Sequence, residues 1–205
     1  RRSYGRRALG RKPVVIKNVA SYQKRLKAHG VVVSVADRLA ETSTQLERLA
    51  REASGVLPRD DELLEQTVFM VEDPAVLCGN FDPVFLSLPK EVLISAMREH
   101  QGYFHLRDRK GGLLPHFLCV IDGKTTGRRI QTGHERVLKA RLADARFFFQ
   151  EDQKRKLVDL VEDLKKVTFQ ESLGSLYDKV ERLMVLSVYL ASELDPGLKE
   201  IVHRA

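Results

Sequence analysis

The sequence predicts an α+β fold, a small mixed-sheet and helix module followed by a mainly helical module. Three observations carry that expectation. Short β-branched and aromatic runs bounded by glycine or proline alternate with amphipathic helical stretches up to Ile121. Beyond the polar loop DGKTTGRRIQT (122–132) the apolar spacing turns helical. The 205 residues, 43% of them hydrophobic, are enough for one sizeable core or two small ones. The expected modules are 1–12, a basic linker or severed edge segment; 13–125, the α+β module; and 126–205, the helical module.

Pro13 opens a β-branched run, Val14-Val15-Ile16. Ser21 to His29 reads as a helix ended by Gly30, and Val31-Val32-Val33 as a second strand, an α/β-type beginning. Ser34, with Asp37 three places on, gives a capping-box start to a helix that stops near Gly55. Asp60-Asp61 starts another, which ends before Pro74 because the residue preceding proline disfavours helical backbone. A strand at Ala75 to Cys78 follows.

Pro89 suits a first helical turn, where its missing N–H has no partner anyway, and the helix runs to about His100. Tyr103 to Arg107 and Leu113 to Ile121 read as a hairpin joined by DRKGG, whose glycines can take the positive φ of a tight turn. Helices are expected at about 133–153, 156–166 and 173–194.

Charged residues make up 31% of the chain and the formal net charge is +7, with a pI of about 9.5. That balance favours a polyanionic partner such as nucleic acid. The opening RRSYGRRALGRK has no acid and could hold phosphates through residues such as Arg6 and Arg7; a severed linker is the competing reading. The chain starts Arg1-Arg2-Ser3 rather than with methionine, which fits a piece of a longer protein. Cys78 and Cys119 are isolated, as in a reducing cytosol, so a cytoplasmic location is expected. No apolar run approaches the roughly 18 residues that read as a membrane span, and no membrane partner is expected.

Catalytic signatures do not emerge. The six histidines include no HExxH, no HD dipeptide and no ligand-spaced pair, and there is no GxxxxGK[ST], GxGxxG or GxSxG. No catalytic residue, metal ligand or cofactor is therefore assigned to this chain. Glu135 with Lys139, and Arg141 with Asp144, stand at helical spacing and are expected to form ion pairs.

The helix around RLADARFFFQED carries the most information. Leu138, Leu142, Ala145 and Phe149 form one apolar stripe, flanked by Val137 and Phe148. Successive residues step round by about 100°, so Phe147 faces away from that stripe. It continues a second, narrower stripe of Arg136, Ala140 and Ala143, bordered by Lys139 and Arg146. Such a groove can dock another helix through Ala140, Ala143 and Phe147, or an RNA strand. Arg6, Arg7, Arg128, Arg129, Arg136, Lys139 and Arg146 are the candidate RNA contacts.

Three long strings then point to a family. LPKEVLISAMREHQGYFHLRDRKGGLLPHF (88–117), GHERVLKARLADARFFFQED (133–152) and VTFQESLGSLYDKVERL (167–183) together closely resemble the β subunit of bacterial-type glycyl-tRNA synthetase. VFMVEDPAVLCGNFDPVFLSLP and, more loosely, YGRRALG extend the resemblance over most of the chain. The resemblance implies a central fragment of that subunit, with 126–205 starting the family's HD-like helical region. It also implies tRNA(Gly) and an α subunit, or a fused α part, as partners. On that resemblance the α part holds the centre that uses ATP to attach glycine to tRNA, and this fragment is expected to contribute tRNA binding and assembly without the catalytic centre. An internal docking module with little direct RNA contact is the alternative.

The sequence departs from the family pattern in places. His134 stands where the family usually has Asn, Lys139 where it has Arg, and Gly5-Arg6-Arg7-Ala8-Leu9 where Gly-His-Arg-Phe-Leu is expected. The loop in CVIDGKTTGRRIQTG lacks the usual Ser-Asn pair.

Overall fold

The computed structural model describes residues 1–6, 13–123 and 127–204. The chain forms two compact units, Arg1–Phe148 and Phe149–Ala205. The expected α+β class holds. Residues 128–132, expected to belong to a loop dividing the modules, are instead the start of a helix over Arg128–Asp152, most of which belongs to the first unit.

In the first unit β1 (Arg2–Tyr4) pairs antiparallel with β2 (Pro13–Val15). Helix α1 (Tyr22–Lys27) follows. The valines at 31–33 are not a strand. Val32 N–H donates to the Glu72 carbonyl at 2.8 Å, and two residues later Ser34 starts a helix. That helix, α2 (Val35–Glu52), is capped by Ser34 Oγ accepting from Asp37 N–H at 3.2 Å, without the reciprocal bond of a full capping box. Asp60 likewise caps α3 (Asp61–Met70), accepting from Leu63 N–H at 3.0 Å.

The central sheet has three antiparallel strands in the order β3 (Pro74–Asn80), β5 (Leu113–Asp122), β4 (Phe104–Arg107). Helix α4 (Lys90–Gln101) precedes β4 and ends at Gly102, whose φ of 64° is the left-handed turn that favours glycine. β5 is buried on both faces, which explains its near-continuous apolar run. Leu118 joins Leu46 and Ala50 of α2, Leu63 of α3, and Phe104 and Leu106 of β4 in one core. Its neighbour Phe117 points the other way and stacks on Tyr103 with ring centroids 4.7 Å apart.

Both edges of the sheet are occupied. The Gln45 side-chain amide from α2 donates to the Pro74 carbonyl and accepts from Val76 N–H, each at 3.1 Å, so it acts as a short strand against β3. At the other edge Val56 and Arg107 exchange backbone hydrogen bonds of 2.7 and 2.9 Å.

The second unit contains an extended 3-10 helix at Leu157–Lys166, a hairpin of β6 (Thr168–Gln170) and β7 (Gly174–Ser175), then α6 (Leu176–Leu194) and α7 (Lys199–Arg204). The expected 173–194 helix thus starts three residues later, after a hairpin. Ser175 sets that start through a complete capping box with Asp178. Among the described residues no helix is long and apolar enough to cross a membrane, and no group of three or more His, Cys, Asp or Glu could hold a metal.

Candidate functional site

The conspicuous helix of the sequence is α5 (Arg128–Asp152). Its inner face is set by Leu138 and Leu142, both fully buried. Two polar contacts fix its register on the sheet. Tyr103 Oη lies 2.7 Å from His134 Nδ1, and Glu135 Oε1 accepts from the Asn80 backbone N–H at 3.0 Å. Burial pushes the Tyr103 phenol up to about 12 and holds His134 below its ordinary value, so the pair is a neutral hydrogen bond at pH 7. Nothing in the spacing of the sequence reveals Tyr103 as the partner of His134, since the contact spans 31 positions.

Glu135 also accepts from Gln131 Nε2 at 3.0 Å, and it does not pair with Lys139 as expected. The end of β3 offers it a backbone N–H without a ladder partner, which outcompetes an exposed lysine. Arg141 and Asp144 do not pair either. Both line a groove of about 580 Å³ between α4 and α5, with Val92 and Ala96 among its apolar lining.

The outward face carries the remaining candidates. Arg128, Arg129, Arg136 and Lys139 are all exposed, and none makes an ion pair or side-chain hydrogen bond within the described residues. At about 100° per residue they fall within a sector of roughly 100°, and Arg128 to Lys139 spans about 16 Å along the axis. Thr132 and Ala143 share that sector, and the nearest acid, Glu135, lies about 20° outside it and is engaged by Asn80 N–H and Gln131, so no acid of α5 stands within the sector. Arg146 is different, half-buried with its guanidinium 5.5 Å above the Phe85 ring.

Two candidates at the opening fare differently again. Arg7 lies outside the described residues, as does Lys124 of the loop. Arg6 is turned inward, its side chain 13% exposed, and its Nε donates to Asp122 Oδ2 at 2.9 Å. A second bond runs from the Arg6 guanidinium to the Asp122 carbonyl. Asp122 Oδ1 meanwhile accepts from the N–H groups of Glu72 and Asp73, each at 2.9 Å. Arg6 therefore ties the opening segment to the end of β5.

The docking candidates Ala140, Ala143 and Phe147 are exposed. Phe148, expected on the buried flank, is 63% exposed and packs edge-on against Phe147, with centroids 5.5 Å apart. Val137, expected beside it, is also exposed. The buried stripe is narrower than the sequence suggests: of α5 Leu138 and Leu142 are fully buried, and Ala145 and Phe149 partly so.

A sequence model of the family described as "Glycyl-tRNA synthetase beta subunit" matches residues 1–205. The chain belongs to this family. Curated members of the family include the glycine–tRNA ligase beta subunits of Geobacter sp. (strain M21), 42% identical, and of Bacillus subtilis (strain 168), 39% identical. A third, from Syntrophus aciditrophicus (strain SB), is 39% identical. Each alignment runs over 204 residues, 99% of this chain, and the chain spans about 30% of the length of these relatives.

Proposed function

We propose that this chain is a tRNA-contacting, non-catalytic segment of a glycine–tRNA ligase, in which an α subunit or fused α part carries out the ATP-dependent attachment of glycine in the cytoplasm. Family membership supports the enzyme. The observation that supports RNA contact is the outward sector of α5, with no acid inside it, where Arg128, Arg129, Arg136 and Lys139 make no ion pair among the described residues. Free cations on a rigid helix can neutralise backbone phosphates and release their counterions, a contribution that does not depend on base sequence.

Charge reversal of these four residues in the full-length protein tests the reading, with tRNA(Gly) affinity measured across salt concentration. The slope of log Kobs against log salt should flatten by about 3, at roughly 0.7–0.9 per lost phosphate contact. Unchanged affinity and slope would remove this surface.

A second reading has its own observation. Phe147 and Phe148 are 57% and 63% exposed and pack against each other, an apolar patch that a neighbouring protein domain would cover. On that reading α5 is a docking module with little direct RNA contact. Phe147→Ala would then weaken association with the α part and leave tRNA affinity unchanged.

A further inference from the structure

The β4–β5 hairpin presents cations of a different kind from those on α5. From Phe104 to Ile121 it contains Arg107, Arg109 and Lys110 against a single acid, Asp108. That acid is turned into the turn itself. Asp108 Oδ1 accepts from Lys110 N–H at 2.7 Å and from Gly112 N–H at 2.9 Å. Its backbone closes the same loop, accepting from Gly111 N–H at 3.1 Å and donating to the Gly112 carbonyl at 2.8 Å. Gly111 completes the turn at φ +87°, where a side chain would be strained.

The consequence is a separation of charge. The carboxylate is occupied by backbone donors, whereas Arg109 and Lys110 are exposed and make no ion pair within the described residues. The tip is also braced from below. Val56 and Arg107 exchange two backbone hydrogen bonds just beneath it, and Gly55 lies so close to Leu106 and Leu114 that an added Cβ would sit 3.1–3.3 Å from their side chains. A turn held in this way has already lost its backbone freedom before any ligand arrives, so the ordering cost of binding is reduced to the two cationic side chains.

We infer that this hairpin tip is a second contact for the RNA sugar–phosphate backbone, separate from α5, with Arg109 and Lys110 each meeting a phosphate. The inference rests on the RNA-binding reading above. A narrow braced turn suits the wide, shallow minor groove of an A-form stem, where phosphates and 2′-hydroxyls are within reach and base identity is not read. The tip therefore adds affinity and orientation, and no sequence discrimination.

The experiment uses the full-length protein and a tRNA(Gly) transcript, with binding measured across salt for three variants: Arg109→Gln with Lys110→Gln, the α5 charge reversal, and both together. The hairpin variant should bind on the order of tenfold more weakly at low salt, with the salt slope lowered by about 1.5. Its thermal midpoint should not move, because neither side chain has a partner among the described residues. The combined variant should show the sum of the two slope changes. If the α5 variant lowers the slope and the hairpin variant does not, the hairpin inference fails and the RNA reading stands. If neither changes the slope, the RNA reading fails and this inference with it.

Discussion

Leu142 and Leu186 are the same residue placed well inside two long helices, α5 and α6, yet the first is fully buried and the second is 54% exposed. The difference extends to the units that contain them. Among the described residues every buried hydrophobic belongs to the first unit except Ala191. The polar contacts divide in the same way. The first unit is joined by pairs far apart in sequence, such as Arg98–Asp60, Tyr103–His134 and Arg6–Asp122, separated by 38, 31 and 116 positions. In the second unit Arg155–Asp163, Lys165–Glu162 and Ser175–Asp178 reach no further than 8. One unit is held by its core and by non-local ties, the other by local ones, so the first should open cooperatively and the second piecemeal.

The largest effect that tests this contrast is Leu142→Ala, which should cost about 2–5 kcal/mol through lost burial and a residual cavity, read from denaturant unfolding. Equal tolerance of Leu142→Ala and Leu186→Ala in this chain would erase the distinction. Next comes the tie between α3 and α4. The hydrogen bonds from Arg98 hold the Asp60 carboxyl below its ordinary value of 3.8, with help from Leu63 N–H and against the effect of burial. A depressed acid contributes stability that is full above its unfolded value and is lost as pH falls through the native one. Stability should therefore fall below about pH 3.8, and Asp60→Asn should flatten that acid limb.

Tyr103→Phe should cost about 1 kcal/mol, since it removes one neutral hydrogen bond and keeps the stack on Phe117. Burial lowers the His134 value, so the unfolded chain takes up this proton first and stability should decline as pH drops below 6.5. A pH titration of the unfolding midpoint, repeated with His134→Asn, isolates that contribution. The smallest effect belongs to Phe147→Ala. At 57% exposure it should change stability by no more than about 0.5 kcal/mol, so a larger loss would show that Phe147 supports the fold.

These contrasts also explain what could be read in the sequence. Capping residues, prolines and the glycine-bearing turn act over a few positions, and they located α2, α3, α4 and the β4–β5 hairpin to within a few residues. The heptad-like spacing found Leu138 and Leu142. Charge spacing did worse, because Glu135 and Lys139 look paired until the end of β3 brings Asn80 N–H into reach from 55 positions away. Arg6 resembled a free phosphate ligand for the same reason, its partner Asp122 being invisible at short range. Val31 to Val33 had strand propensity but no ladder to join. The exposure of Phe148 reflects how narrow the covered side of α5 is, a quantity no local pattern contains.

The Gln45 amide lying against β3 has a consequence for the order in which the chain is made. An open strand edge is a template on which nascent copies can pair and aggregate. Synthesis proceeds from the N-terminus, so Gln45 has left the ribosome before Pro74 and Val76 follow it. Val56, which covers the opposite edge, likewise precedes Arg107. Each exposed edge emerges into the presence of the residue that will close it.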